Sequence, residues 1–385
     1  MSDTSHLFIF GRTPLLSFQE LSAFYPAAHM VSQDVAQVDS GLSNESVQVF
    51  LDTLGGTVKI AQVIAQTDQL DWSLATHLSR ESSLTFGVST YGGLTLPKNL
   101  LTDMKKVLES EGVVSRYVTP HEGDVLSSVT LDKKHVQELV IFRSGSGYCV
   151  GKTVAVQNYE VWANRDIGRP FADGKNGMLP VKVARMLVNI SLKEAVGNTE
   201  MRQKTILDPF CGMGTILAEA YLRGCRVLGS DVSGEITAKA KANLQWLMTK
   251  FPNERGSVAK VFMADAVHIA EELPPQSVHA IITEPFMGSP DIALHTEVDI
   301  MKAKNQLKGL EKLFIGCLRN WHNVLIDGGT ILIALPSYKV NGRELTVKKV
   351  VDMCENLGYT IEAGPIEYSR PQAIVKRQFY LFKKI

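Results

Sequence analysis

A chain of 385 residues has room for two or three domains, and its 45% apolar content with 40 basic and 40 acidic residues is that of a soluble, globular protein. No apolar run approaches the ~18 residues of a membrane span. "MSDTSHLFIFGR" lacks the basic stretch of a secretory signal. Five cysteines (Cys149, Cys211, Cys225, Cys317, Cys354) show no C-x-x-C spacing, which argues against zinc or any other metal and for reduced thiols in a cytoplasmic setting.

The first 150 residues read as mixed α and β. "HLFIF" has the composition of a strand, and Ser17 and Glu20 in "SFQEL" have the spacing of a capping box that opens a helix. "SLTFGVSTYGG" reads as a strand closed by glycines, and "KNLLTDMKKVLESEG" as a helix stopping at Gly112. "ELVIFRSGSGYCVGKTVAVQ" reads as two strands around a Ser/Gly turn. The segment 158–180, "NYEVWANRDIGRPFADGKNGMLP", has the Gly, Asn, Asp and Pro content of a connection. Pro180 then suits the first turn of a helix, "VKVARMLVNISLKEA".

From residue 205 onward short apolar strands alternate with helical segments, which implies parallel pairing through right-handed crossovers. The strands are "TILDPF", "RVLGSDV", "AKVFMADA", "HAIITEPF" and "GTILIALP". "TVKKVVDMCENLG" adds a helix, and "AIVKRQFYLFKK" alternates as a strand at or near an edge. Charge divides between the halves. Residues 1–150 carry 10 basic against 16 acidic side chains and residues 151–385 carry 30 against 24, so attraction for phosphate belongs mostly to the second part.

The chemistry gathers at strand ends. "DPFCGMGT" runs from Asp208 to Thr215, and Gly212 and Gly214 allow a tight turn and close approach to a ligand. It is neither a Walker loop nor a full G-x-G-x-x-G. An acid opens it, which suits a cationic ligand end such as an amine or sulfonium. Asp231 ends the next strand, where an acid takes ribose hydroxyls or caps the following helix. Asp265, in "ADA", could accept from an adenine amino group. "TEPFMG" ends the fourth strand with Glu284, Pro285 and Phe286. Each acid lies at a carboxyl strand end, the edge at which open α/β sheets bind ligands.

Residues 205–288 resemble class I S-adenosylmethionine-dependent methyltransferases, and "LDPFCGMGTILAEA" is very similar to the glycine loop of enzymes that methylate exocyclic amines of nucleic acids. "RDIGRPFADGKNGMLPVKVARMLVNI" resembles the entry to the catalytic domain of tRNA guanine-N2 methyltransferases acting on position ten. In those enzymes a THUMP domain grips the tRNA, and "LTFGVSTYG" through "VGKTVAVQ" resembles one weakly.

The resemblance implies a Rossmann-like domain at 158–385, with a mostly parallel seven-stranded sheet carrying an antiparallel strand, after an α+β, THUMP-like region at 1–157. It implies S-adenosyl-L-methionine at Asp208, Pro209, Phe210, Gly212, Gly214, Thr215, Asp231, Asp265 and Ala266, and a target base at Glu284, Pro285 and Phe286. Those loops usually read Asp-Pro-Pro-Tyr, so Glu284 is one methylene longer than the usual acid and Phe286 stands one position early. The expected partner is tRNA, with DNA or ribosomal RNA as the alternative substrate and a non-catalytic RNA-binding protein as the alternative role. A small activator protein or a homo-oligomer is left open. Arg165, Arg169 and Lys182 are candidates for phosphate contact or for packing ion pairs.

Overall fold

The computed structural model describes residues 5–39, 41–172, 178–193, 199–252, 256–288, 296–340, 343–369 and 373–385. The chain forms two compact units, 1–162 and 163–385.

In the first unit, β1 (Ser5–Phe10), β2 (His29–Ser32), β3 (Val35–Asp39), β4 (Thr57–Thr67), β5 (Ser83–Thr90), β6 (Val114–Tyr117), β7 (Gln137–Ser144) and β8 (Gly147–Val156) make one sheet, ordered β2-β3-β1-β4-β8-β7-β5-β6. β5 pairs in parallel with β6 and β7, and the other ladders are antiparallel. The helices are α1 (Pro14–Phe24), α2 (Asn44–Thr53), α3 (Leu100–Ser110) and α4 (Ser128–Lys133). α3 ends near Gly112, which takes φ 84°, and buries Met104 and Leu108 with Phe86, Leu139 and Ile141.

The capping box expected at Ser17 and Glu20 is not formed. Pro14 starts α1 three residues earlier, with Thr13 as its N-cap. The Ser17 hydroxyl donates to the Thr13 carbonyl at 2.8 Å, and buried Glu20 accepts from the Gly55 and Gly56 amides at 2.8 Å each. The acid serves a turn remote in sequence rather than its own helix.

The division between units falls within α5 (Tyr159–Ile167). This helix corrects the expectation of a loose connection over the whole of 158–180. Asn158 supplies the start, its Oδ1 accepting from the Glu160 and Val161 amides at 3.0 and 3.2 Å. Residues 173–177 lie outside the described residues. Pro180 is the N-cap of α6 (Val181–Leu192).

The second unit continues as β9 (Thr205–Asp208), α7 (Thr215–Leu222), β10 (Arg226–Asp231), α8 (Gly234–Lys250), β11 (Ser257–Met263), β12 (Val278–Thr283), α9 (Glu297–Val324), β13 (Leu325–Val340), β14 (Arg343–Thr346), α10 (Lys348–Asp352), β15 (Tyr359–Tyr368) and β16 (Val375–Lys384). The sheet order is β11-β10-β9-β12-β13-β16-β15, with β14 added on β13. β11 through β13 run parallel, while β16 is antiparallel to both neighbours. It is the mixed α/β sheet that the resemblance implies.

β16 lies one strand in from the edge, and β15 covers it. "YTIEAGPIEY" does not advertise a strand, because Gly364 and Pro365 interrupt it. An edge strand tolerates proline because one row of its amides needs no partner. The core beneath the sheet joins Leu207, Ile281 and Ile331 to Phe314 and Trp321 of α9. Among the described residues no helix is long and apolar enough to cross a membrane.

Candidate active site

The parallel strands deliver their carboxyl ends to one edge. β9 ends at Asp208, and the chain turns through Gly212 (φ 48°) and Gly214 (φ 80°) into α7 at Thr215. A Cβ on Gly212 would meet nothing within 4 Å, so the loop presents open space there. The Cys211 amide donates to the Ser230 carbonyl at 2.8 Å, and α8 reaches over with Asn243, whose Nδ2 donates to the Met213 carbonyl at 3.0 Å. Asp231, at the end of β10, accepts from the Ser233 amide at 3.0 Å and from the Gly212 amide at 3.3 Å. Asp208, Pro209, Phe210, Gly212, Gly214, Thr215 and Asp231 are thus brought together.

The end of β11 adjoins them, since the Ala264 amide donates to the Asp231 carbonyl at 3.0 Å. Exposed Asp265 caps the next turn by accepting from the Val267 amide at 3.1 Å. Buried Ala266 offers its carbonyl to Trp321 Nε1 at 2.9 Å. Two further residues went unmarked in the sequence. Val232 is 75% exposed and Met263 is 64% exposed, and Met263 is in register with Asp231. Exposed apolar side chains next to acids at adjoining strand ends suit a flat heteroaromatic ring with polar edges. An apolar residue within two positions of each acid, Val232 after Asp231 and Met263 before Asp265, was the available signal.

Asp208 lies beneath the loop, 2% exposed, accepting from the Phe210 amide at 3.2 Å and from the Thr283 hydroxyl of β12 at 2.7 Å. It therefore ties the glycine loop to the strand that carries "TEPFMG". Burial pushes its carboxyl up to about 7, reinforced by the charges of Asp231 and Glu284. A carboxyl raised on folding contributes stability that is complete below its unfolded pKa and is lost as pH rises through the folded one. Asp208→Asn should therefore stabilise the ligand-free protein at pH 8, by on the order of 1–3 kcal/mol, with the gain vanishing toward pH ~4. Thermal melts across that range check the slope.

The second loop is held at both ends. At its start, Glu284 pairs with Arg377 of β16. Pro285 is buried, while Phe286 stands 60% exposed. At its end, the Tyr338 hydroxyl donates to the Met287 carbonyl at 3.0 Å. Gly288 takes φ 97°, and a Cβ there would lie 2.2 Å from Gln306 Nε2 and 2.6 Å from the Tyr338 hydroxyl. Gly288→Ala should displace the loop and lower turnover roughly 10- to 100-fold, while ligand affinity at the glycine loop holds. Steady-state kinetics beside calorimetry separate the two effects.

Arg165 and Arg169 are not surface cations. Arg165 Nη1 lies 2.9 Å from Glu219 of α7, and Arg185 Nε of α6 lies 2.8 Å from the same oxygen; all three side chains are at most 5% exposed. Arg169 donates to the Thr215 hydroxyl at 2.9 Å and pairs with Asp166 at 3.2 Å. Of the two uses open to these arginines, the geometry is that of packing ion pairs. Guanidiniums so enclosed present no face to an RNA backbone, and Arg169 instead braces the first residue of α7. Lys182 is half-buried.

No protein-family model matches the chain. A tRNA (guanine(10)-N2)-dimethyltransferase of Methanothermobacter thermautotrophicus is 32% identical over 163 residues, 42% of this chain and 40% of that protein. One of Pyrococcus abyssi is 29% identical over 219 residues, 57% of this chain and 52% of that protein. One of Methanocaldococcus jannaschii is 36% identical over 115 residues, 29% of each.

The chain resembles the tRNA (guanine(10)-N2)-dimethyltransferases.

The matches span between 29% and 52% of those relatives' own lengths. Among solved structures, a protein described as a possible methylase from Clostridium difficile 630 aligns over 99% of this chain and 98% of its own, at 10% identity and TM-score 0.46.

Proposed function

We propose that this chain transfers a methyl group from S-adenosyl-L-methionine to an exocyclic amine of a nucleic-acid base, guanine N2 at position ten of tRNA. The observation that carries this is the juxtaposition of two loops. An open glycine loop with a ribose-type acid at Asp231 is bonded through Asp208 and Thr283 to a loop that places a carboxylate beside an exposed aromatic ring. The activity for which the relatives are named supports the choice of base and position.

The residues present fit the cofactor. Asp231, its oxygens oriented by the Gly212 and Ser233 amides, is placed to accept from ribose hydroxyls. Asp265 would take the adenine amine, with exposed Val232 and Met263 offering apolar surface to the ring, and Gly212, where a Cβ would meet nothing, leaves room for the methionine end. When bound, S-adenosylmethionine supplies a methyl that its sulfonium already makes electrophilic.

The protein's task is then alignment and charge stabilisation. A guanine amine is a weak nucleophile because its lone pair is delocalised into the ring. Glu284 accepts a hydrogen bond from one amine hydrogen, and the carbonyl of Glu284 or Pro285 from the other. That draws the nitrogen toward tetrahedral geometry and frees its lone pair. As the N–CH3 bond forms and the S–CH3 bond breaks, the nitrogen gives up one proton to solvent. Phe286 stacks on the base once it leaves its helix. Residues 1–157 serve as the THUMP-like, tRNA-gripping part.

A tRNA transcript with inosine in place of guanosine at position ten lacks only the N2 amine. It should accept no methyl where the guanosine transcript does. Equal labelling of both would exclude that amine as the acceptor.

A further inference from the structure

We propose that Arg377 is a positioning residue for the base loop: it holds the Glu284 carboxylate in place and so aims that acceptor at the target amine. The inference rests on the methyl-transfer function above.

Strand direction makes the contact available. Because β16 runs antiparallel, its amino end lies at the edge where β9, β10, β12 and β13 present their carboxyl ends. Arg377 stands in register with Pro336 of β13 and with Tyr368 of β15. From there its Nε donates to Glu284 Oε1, with the two side chains 11% and 15% exposed.

The arginine is itself held. Its guanidinium lies 5.8 Å from the centre of the Tyr368 ring, and Tyr368 stacks on Phe379 at 6.3 Å. A glutamate has one more rotatable bond than an aspartate, and ordering it costs conformational entropy at each turnover unless the fold has already done so. A planar guanidinium orients a carboxylate, whereas an ammonium attracts it without fixing its plane. Arg377 at Glu284 and Tyr338 at Met287 therefore clamp opposite ends of one loop. The longer acid is accommodated by a strand 93 residues away in sequence.

The test combines Arg377→Gln and Arg377→Lys with Glu284→Gln. Arg377→Gln should lower kcat roughly 10- to 100-fold. KM for tRNA and calorimetric affinity for S-adenosylhomocysteine should stay within about threefold, a split that general unfolding does not produce. Lysine should restore part of the rate. In the Glu284→Gln background, Arg377→Gln should cost no more than about twofold, because its route to the reaction is already gone. The Arg377 Nε–H resonance in ¹⁵N spectra should shift on Glu284→Gln, which reads the pair without any turnover.

An Arg377→Gln that raises the KM for tRNA equally in both backgrounds would make the arginine a phosphate contact and overturn the proposal. A resonance indifferent to Glu284→Gln would overturn it as well. A wild-type protein that methylates no tRNA, but whose Nε–H resonance responds, counts against the proposed function and leaves the ion pair standing.

Discussion

Replacing Glu284 by glutamine should lower kcat for methyl transfer by roughly 10²–10³, the usual cost of losing a charge-stabilising contact. Glutamine keeps the size and one acceptor oxygen. It loses the charge that offsets positive charge developing on the nitrogen and that engages Arg377. Because the contact strengthens as the nitrogen rehybridises, its loss belongs to the transition state. KM for tRNA and affinity for S-adenosylhomocysteine should change little.

Glu284→Asp is the finer variant. Its carboxylate retreats by ~1.5 Å, one bond length. It then falls short of either Arg377 or the base, so activity should drop even though aspartate is the commoner acid in loops of this type. Phe286→Ala should hurt both base capture and rate, and Phe286→Tyr should be tolerated, because the ring is exposed and a hydroxyl would point into water. Single-turnover kinetics on these variants check each expectation.

Glu219→Ala should be the most destabilising single change near the site. It removes a carboxylate that faces both Arg165 and Arg185 inside the packing of α5, α6 and α7. Breaking a buried pair typically costs about 3–5 kcal/mol, because a charge stays buried without compensation. For a unit of this size that lowers the melting midpoint by on the order of 10 °C. Arg165→Met is the informative partner, since Arg185 still faces Glu219. It should destabilise less. Arg165→Met and Arg169→Met should both leave unchanged the slope of log affinity for RNA against log salt, because neither guanidinium releases a counterion from phosphate. A slope reduced by about one per variant would return these arginines to the RNA surface.

The parts of the site legible in sequence are local ones. Asp208, Gly212, Gly214, Asp231 and Asp265 could be read because each acid or glycine sits at the end of its own strand, and alternating strands and helices place those ends along one edge. The rest depends on long-range packing. Arg377, Tyr338 and Gln306 reach the base loop from β16, β13 and α9, and no spacing rule links them to "TEPFMG".

Arg165 and Arg169 misled because charge is visible in a sequence and burial is not. Glu219, the partner of Arg165, looks like one more polar residue of an amphipathic helix, yet it is 1% exposed, and Arg169 turns inward to the Thr215 hydroxyl. Glu20 was read as a cap for the same reason, since its spacing matched while its true partners, Gly55 and Gly56, lie elsewhere in the chain. β15 was hidden by the very residues, Gly364 and Pro365, that its edge position tolerates.

The most direct measurement is transfer of labelled methyl from S-adenosylmethionine to bulk tRNA, followed by nucleoside analysis, with wild type and Glu284→Gln side by side. Wild type should place label in N2-methylated guanosine, and the variant should do so at a rate lower by roughly 10²–10³. Label in another nucleoside, no label at all, or equal rates from the two proteins would contradict the proposed function.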